Sequence, residues 1–162
     1  MADYGWRGEA LIYVIGSLTN PRIPEIGITL RKHGFDVFTQ WHAAGPEADK
    51  FWQEHFQSQG FSYRDALQQD FPQTAFKFDD EHIQASEAVV MVMPCGRSGH
   101  LELGVAIGQG KRGYILLEEG EPAKWDLMWA YARKSGGDIV YSIEKLMSAL
   151  AQYTMRQETA RA

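Results

Sequence analysis

The chain has 162 residues, of which 44% are hydrophobic and 23% are charged, as expected for a single globular domain. Its formal net charge of -5 at pH 7 argues against a nucleic-acid-binding protein, which would need a basic face. No apolar stretch approaches the ~20 residues of a membrane span, and the polar start does not have the pattern of a signal peptide. Because a single cysteine excludes an internal disulfide, we expect a cytoplasmic protein.

The first predicted elements form a β-α-β unit. An apolar run over 9–17 predicts a buried strand that ends in a turn at Gly16. The apolar pattern over 22–33 predicts a helix, and Gly34 is placed to end it. Residues 35–39 predict a second short strand. Such a unit implies parallel strands that are joined by a right-handed crossover.

A polar and aromatic segment over 41–60 then interrupts the alternation of strands and helices. Within a compact domain, a segment of this length is more often functional than idle, so we interpret it as an insertion that shapes the site. Two short helices follow, and the sequence predicts them over 63–70 and 79–86.

The second half of the chain begins with an apolar run that Pro94 closes, a pattern typical of a strand buried on both faces of a sheet. A turn over 95–99 follows, and then a helix over 100–108 whose residues are apolar or small almost all the way round. The remaining predicted elements are a strand over 113–117, a helix over 123–133, a strand over 138–141, and a helix over 143–153 with a frayed polar tail over about 155–162.

Five short strands that alternate with helices predict an α/β fold, a single doubly wound domain of flavodoxin-like or Rossmann-like type with helices on both faces of a parallel sheet. In such sheets, ligands bind beyond the carboxyl ends of the strands, where the strand order switches. The turn at Gly16 and the turn over 96–102 both follow strands. If the first and third strands are neighbours, the two turns open on one crevice.

Glu102 is the one acidic residue of an otherwise apolar helix, where an ionised carboxylate is costly unless something compensates it. In one interpretation it is a first-turn acid that stabilises the helix dipole by ~0.3–1 kcal/mol. In the other, the dipole and the N–H groups of the turn keep the carboxylate ionised at the mouth of a cleft, ready to act as a nucleophile. The residues around Glu102 leave both interpretations open.

Other reactive side chains give weaker signals. Cys95 lies near His100, but a buried cysteine is usually inert and no base is positioned by the sequence. The five histidines show no paired spacing of metal ligands, so we predict no metal. The turn at Gly16 lacks the Gly-x-Gly-x-x-Gly of dinucleotide sites. We therefore predict that the protein uses no cofactor.

Three separated segments resemble a known family. Residues 12–16, Ile-Tyr-Val-Ile-Gly, are similar to an opening Tyr-x-x-Gly strand. Asp79 lies near the start of a predicted helix, ahead of a Ser-Glu-Ala-Val-Val strand. Residues 99–104, Gly-His-Leu-Glu-Leu-Gly, are similar to a Gly-x-x-Glu-x-Gly nucleophile turn. From about Leu11 to Ala132, the chain resembles the nucleoside 2-deoxyribosyltransferase superfamily, which includes 2'-deoxynucleoside 5'-monophosphate N-glycosidases.

This resemblance implies a mechanism for three residues. The carboxylate of Glu102 attacks C1' of a ribosyl or deoxyribosyl group, and Asp79 protonates the leaving base and later activates the acceptor. Tyr13 holds the carboxylate of Glu102 by a hydrogen bond. On the residues alone, Asp79 also suits an ordinary N-cap, with Asp80 as an alternative acid in the same turn. A tyrosine in a buried strand is usually a core residue.

Substrate-binding residues are implied at the two turns. The segment Gly16-Ser17-Leu18-Thr19-Asn20-Pro21-Arg22 resembles the Gly-Ser-x-Arg-Gly-Gly-Arg phosphate turn of the monophosphate hydrolases, but a threonine replaces the inner arginine. A phosphate site is therefore only half supported. The predicted substrate-binding residues at these turns are Gly16, Ser17, Arg22, Arg97, Ser98, Gly99 and His100.

Aromatic residues of the insertion have two interpretations. In the first interpretation, a nucleobase stacks on Trp41, Phe51 and Trp52. In the second, the core of an inserted helix contains Phe51, Trp52 and Phe56.

The predicted helix over 123–133 also has two interpretations. In the family, this region contributes to the site of a neighbouring subunit, so Asp126 and Met128 are expected to reach across a homodimer or larger homo-oligomer. The alternative is ordinary packing against the sheet.

Two departures from the family affect the choice of substrate. Glu87 stands where relatives commonly have aspartate, and residues 41–60 have no counterpart. The expected activity is cleavage or exchange of the N-glycosidic bond of a nucleoside or nucleoside 5'-monophosphate, with neither polymeric nucleic acid nor membrane as a partner. The alternatives are a non-catalytic nucleotide-sensing module of the same fold and a glycosidase of an NAD-like nucleotide or cytokinin ribotide.

Overall fold

The computed structural model of the protein describes residues 11–161, and side chains over 11–152. Its strands form one sheet of order β2-β1-β3-β4-β5 in which every neighbouring pair is parallel. The strands are β1 (Leu11–Ile15), β2 (Asp36–Phe38), β3 (Ala88–Val92), β4 (Arg112–Leu116) and β5 (Ile139–Val140). The predicted doubly wound sheet is thus confirmed. Because β1 and β3 are neighbours, the two turns that follow them flank the switch in strand order.

Helices cover both faces of this sheet. They are α1 (Arg22–Lys32), α2 (Ala48–Ser58), α3 (Tyr63–Ala66), α4 (Asp70–Ala85), α5 (Arg97–Gly108), α6 (Ala130–Lys134) and α7 (Ile143–Arg161). Two short 3-10 segments, Gln40–Ala44 and Leu127–Trp129, lie between them. Helix α7 runs past the predicted end at residue 153 and continues to Arg161, within the predicted frayed tail.

The side chains of β1 alternate between two core layers, as the period of a strand requires. Ile12 and Val14 pack with residues of α1 and α7 on one face of the sheet. Tyr13 and Ile15 pack on the other face with residues of α4, α5 and α6. Tyr13 therefore faces the layer that contains the helices of both candidate catalytic acids.

The predicted start of a helix at Asp79 is wrong. Helix α4 is continuous from Asp70 to Ala85, so Asp79 lies in its middle. Pro72 occupies the first turn, where the backbone N–H groups have no partner within the helix, so the proline does not interrupt it. The N-cap position is Gln69. An N-cap role for Asp79 is thereby excluded.

The predicted helix over 123–133 is also wrong in its first part. Asp126 accepts a hydrogen bond from the backbone N–H of Met128 at 2.8 Å and so begins the 3-10 segment. Regular helix begins only at Ala130. Trp125 precedes the cap and is 78% exposed.

Residues 41–60 contain most of the 3-10 segment over 40–44 and helix α2, a structured part of the domain. Phe56 is buried and Phe51 is 65% exposed, so only part of the predicted aromatic core of this helix is present. The indole N–H of Trp41 donates to the carbonyl oxygen of Val14 at 2.8 Å, which attaches the segment to the end of β1. Within residues 11–161, no helix is both long enough and apolar enough to span a membrane.

Candidate active site

Three ionisable groups approach one another between the sheet and the helices α4 and α5. Burial and the neighbouring Asp79 raise the pKa of Glu102 to about 7. Burial raises the pKa of Tyr13 above its ordinary value, and the charges of Glu102 and Asp79 raise it further. Because each group affects another through its charge, the predicted catalytic residues lie within electrostatic reach of one another. Among the described residues, no hydrogen bond joins the hydroxyl of Tyr13 to Glu102, so that contact stays a prediction.

Glu102 does not lie in the first turn of its helix. Helix α5 begins at Arg97, three residues earlier than predicted, and its first turn contains no acid. The helix dipole acts mainly within the first turn. The stabilisation by the helix N-terminus that both interpretations assumed is therefore wrong, and burial instead favours the protonated form of Glu102. The role of Glu102 as a nucleophile stays a prediction.

Asp79 differs clearly from the neighbouring Asp80. Burial raises the pKa of Asp79 to about 6, and the nearby His82 acts in the opposite direction. Its Oδ1 atom is buried and accepts no hydrogen bond from the described part of the chain. Asp80 instead accepts a hydrogen bond from Gln84 at 3.3 Å and lines a separate surface pocket. The structure thus associates Asp79, and not its alternative, with Glu102.

An aromatic wall formed by Phe38, Phe78 and His82, which the sequence did not reveal, lies beside Tyr13 and Asp79. The ring of Phe38 stacks on Tyr13 with centroids 5.3 Å apart and on His82 with centroids 3.7 Å apart. Phe78 packs against Phe38 at 5.5 Å. Phe78 and His82 flank Asp79 along α4 at a helical spacing of four residues. The spacing of four residues between Phe78 and His82 places them on one helix face, but the sequence prediction began the helix at residue 79 and so left Phe78 outside it.

Gly99 sets how closely α5 approaches the sheet. A Cβ atom at this position would overlap the Sγ atom of Cys95 and lie 2.8 Å from Cγ2 of Ile15. Burial and the charge of Glu102 raise the pKa of Cys95 to about 11, so its thiol is neutral near pH 7, as expected of an inert cysteine. In contrast, a Cβ atom at Gly104 would meet no atom within 4 Å.

We expect Gly99→Ala to destabilise the protein by about 1–3 kcal/mol through overpacking. Gly104→Ala is the matched control, because it makes the same change in the same helix but in open space, and it should stabilise by ~0.5–1 kcal/mol. Thermal or urea unfolding measures both effects. Equal effects of the two substitutions would contradict a close packing role for Gly99.

Other predicted binding residues lie at the turn after β1 and in the first turn of α5. Gly16 and Ser17 follow β1, where a Cβ atom on Gly16 would overlap Cδ1 of Ile23. Arg97 and Ser98 are exposed in the first turn of α5. Trp41 is half-buried and is attached to β1, so its indole N–H is already used.

His100 and Met128 line a second pocket, of about 450 Å³, between α5 and the 3-10 segment that precedes α6. The ring of His100 stacks on Trp129 with centroids 6.1 Å apart, and its Nδ1 atom lies 2.8 Å from the carbonyl oxygen of Gly96. Glu102 does not line this pocket. Within residues 11–161, no group of three or more His, Cys, Asp or Glu side chains is arranged to hold a metal ion.

The site and the sheet together define an α/β protein with an acidic cluster at the switch in strand order. Solved structures of the same fold include a conserved protein from Enterococcus faecalis V583, with a TM-score of 0.63 and 17% identity over 90% of this chain and 99% of that chain. They also include a 2-deoxyribosyltransferase from Bacillus psychrosaccharolyticus, with a TM-score of 0.59 and 19% identity over 85% of this chain and 90% of that chain.

A third structure is the CMP N-glycosidase of Clostridium botulinum, with a TM-score of 0.52 and 15% identity over 86% of this chain and 97% of that chain. No family model and no curated protein sequence matches the chain. The predicted resemblance is thus confirmed at the level of fold: the chain shares its fold with a solved 2-deoxyribosyltransferase and a solved CMP N-glycosidase.

Proposed function

We propose that the protein is an enzyme that cleaves or transfers the N-glycosidic bond of a nucleoside or nucleoside 5'-monophosphate. The observation that carries the proposal is the pairing of Glu102 with Asp79, two partly buried carboxyl groups whose pKa values are both raised. Such pairs are typical of sites that use one group as a nucleophile and the other as an acid. The fold shared with a deoxyribosyltransferase and a CMP N-glycosidase supports the same chemistry.

In the first half-reaction, the carboxylate of Glu102 attacks C1' of the sugar. The bond between C1' and its oxygen forms as the bond between C1' and the base nitrogen breaks, through an oxocarbenium-like state. Asp79 transfers its proton to the leaving base, which departs neutral. The product is a glycosyl ester of Glu102.

In the second half-reaction, water or another base attacks C1' and releases Glu102. Asp79, now ionised, takes the proton of the attacking group, so that the enzyme returns to its starting state. Attack by water makes the protein a hydrolase, and attack by a base makes it a transferase.

The burial of the acid pair suits this proton transfer. Between the two pKa values, of about 6 and about 7, the pair holds one proton and one negative charge. Because the pKa of Glu102 is the higher of the two, the form with Glu102 ionised and Asp79 protonated is the minor part of this singly protonated state, and it is the form that reacts. The rings of Phe38, Phe78 and His82 pack against one another beside Asp79.

The test is incubation of the purified protein with ribo- and deoxyribonucleosides and their 5'-monophosphates, with and without an acceptor base. Release of free base, or its exchange, that Glu102→Gln abolishes would support the proposal. Denaturation after mixing should leave the sugar on Glu102, which mass spectrometry of the peptide detects. Ligand binding without any release of base, in the wild type as in the variant, would refute catalysis and favour the nucleotide-sensing module.

We further propose that a second copy of the chain covers the apolar surface around the second pocket. Its large side chains are unusually exposed: Leu101 69%, Leu127 80%, Met128 59% and Tyr131 50%. Leu127→Asp should weaken the association at least about tenfold, because it places a charge on this apolar surface. Light scattering measures the oligomeric state. A wild-type monomer with full activity would refute the predicted role of Met128 in a partner's site.

A further inference from the structure

A pocket of about 330 Å³ opens between the turns that follow β1 and β3. Its lining residues are Ser17, Thr19, Asn20, Pro21, Arg22, Pro94, Cys95, Gly96 and Glu119. Cys95 connects this pocket to α5, the helix of Glu102, because its Sγ atom packs against Gly99 in the first turns of that helix. The charge of Glu102 also acts on the thiol of Cys95 and raises its pKa. A substrate whose reacting carbon lies at Glu102 is therefore placed to extend its far end into this pocket.

The arginine that lines this pocket, Arg22, is already engaged. Its Nε and one terminal nitrogen donate to the two carboxylate oxygens of Glu118 at 2.9 and 2.7 Å. The other terminal nitrogen donates to Glu25. All three guanidinium nitrogens thus bind carboxylates, in the bidentate geometry that a phosphate would otherwise use.

The ion pair of Arg22 and Glu118 lies at the crevice between the turns that follow β1 and β3. Glu118 follows β4 and Arg22 begins α1, which follows β1, while β3 lies between those two strands. The ion pair therefore spans the end of β3, beside the pocket. The side chain of Glu118 is 24% exposed and that of Arg22 is 45% exposed, so the pair is partly shielded from water.

Among the described residues, the rest of the pocket lining adds no positive charge. Glu119 contributes a further carboxylate to the lining, and Arg97 is exposed and does not line the pocket. Backbone N–H groups of the first turn are used internally: that of Thr19 donates to Oγ of Ser17, and that of Asn20 donates to the Ser17 carbonyl. The guanidinium of Arg22 therefore binds two carboxylates, those of Glu118 and Glu25, and the carboxylate of Glu119 lines the same pocket.

A neutral donor is present instead. Asn20 is 6% exposed and lines the pocket. Its amide Nδ2 has no hydrogen-bond partner among the described residues, whereas its Oδ1 accepts from the backbone N–H of Arg22 at 3.0 Å. A buried amide donor of this kind can bind the oxygen of a substrate hydroxyl group without adding positive charge to the pocket.

We propose that Glu118 is a specificity-determining residue that occupies Arg22 and makes this pocket select nucleosides, with an uncharged 5'-hydroxyl, over nucleoside 5'-monophosphates. The proposal rests on the proposed function, since it assumes that the sugar lies at Glu102. A phosphate would have to displace a bidentate carboxylate and then lie beside two or three negative charges. Removing the charge of Glu118 leaves Nε and one terminal nitrogen of Arg22 available to a phosphate, while the other terminal nitrogen stays on Glu25.

The experiment compares each nucleoside with its own 5'-monophosphate in three proteins: the wild type, Glu118→Gln and the control Glu121→Gln. Glu121 is exposed, accepts from the hydroxyl of Tyr141 and does not line the pocket, so its substitution makes the same charge change elsewhere. We expect the wild type to prefer the nucleoside by about tenfold or more in kcat/KM, because Glu118 prevents a charge-assisted hydrogen bond between Arg22 and the phosphate. Glu118→Gln should reduce this preference about tenfold, whereas Glu121→Gln should leave it unchanged.

Dissociation constants measured by calorimetry on Glu102→Gln, with and without Glu118→Gln, make the same comparison without turnover. Failure to release base from any substrate would refute the proposed function, and the binding preference alone would then decide the proposal on Glu118. A wild type that prefers the monophosphate would overturn that proposal while leaving the proposed function intact. A well-folded Glu118→Gln protein with the same preference for nucleosides as the wild type would also overturn the proposal on Glu118.

Discussion

Replacing Glu102 by glutamine is expected to abolish base release, with a loss of at least about a thousandfold in kcat, and to make the protein more stable above pH 7. Glutamine has nearly the shape of glutamic acid but cannot form the glycosyl ester. The stability of the variant distinguishes the two causes of lost activity. A variant that is inactive because it unfolds is less stable than the wild type, whereas one that has only lost the buried carboxylate is more stable.

The sign of the stability change follows from the pKa of Glu102, which burial and Asp79 raise from 4.5 to about 7. The folded protein keeps a proton that the unfolded chain releases, so this group contributes stability below about pH 4.5 and loses that contribution as the pH rises through 7. Glutamine stays neutral throughout. The variant should therefore match the wild type near pH 4.5 and exceed its free energy of unfolding at pH 8 by about 3 kcal/mol.

Urea unfolding at a series of pH values, together with assays of base release, measures both effects. Glu121→Gln is the matched control, since Glu121 is an exposed acid away from the cluster, and it should change neither quantity appreciably. If Glu102→Gln retained half of the activity, the covalent mechanism would be wrong. If its stability followed that of the wild type at every pH, the buried carboxylate would not be the source of the destabilisation.

Asp79→Asn is expected to slow the release of ordinary bases by ~10²–10⁴-fold, because these bases need a proton to leave. A nucleoside of an N-methylated, positively charged purine should be affected much less, since its base departs without accepting a proton. The comparison of the two substrates in one variant separates a proton donor from a residue that merely maintains the fold. Equal losses on both substrates would argue against the proposed role of Asp79.

The pH dependence gives a second measure of the same residue. The acid pair titrates with pKa values of about 6 and about 7, so kcat/KM of the wild type should peak between them. Below this range both groups are protonated and the nucleophile is lost; above it both are ionised and the acid is lost. In Asp79→Asn the alkaline decline should disappear. The acidic limb should move to lower pH, because the charge of Asp79 no longer raises the pKa of Glu102.

Asp80→Asn is the control for both measurements. Asp80 is the adjacent acid on α4, but it accepts from Gln84 and lines a different pocket. Its substitution should alter neither the pH profile nor the substrate comparison. A larger effect at Asp80 than at Asp79 would show that the proton transfer takes place on the other face of α4.

The sequence predicted the architecture because the signals for a doubly wound sheet are local. A buried strand such as β3 is a short β-branched run, and glycines such as Gly34, with a φ of 87°, end helices at defined positions. Alternating strands and helices then allow few topologies. The predicted boundaries of α4 and α6 were wrong. Pro72 is tolerated in the first turn of α4, and Asp126 caps a 3-10 segment that delays the start of α6 to Ala130.

By itself, then, the sequence determined the fold class and identified Glu102 as an unusual acid, since both depend on patterns within a few residues of the chain. Only the tertiary structure decided which aspartate lies near Glu102 and that burial, not a helix dipole, governs the pKa of that acid. It also decided that Arg22 is paired with Glu118 across 96 residues of sequence. Burial and charge are set by groups that folding brings together from distant segments, and no local pattern encodes them.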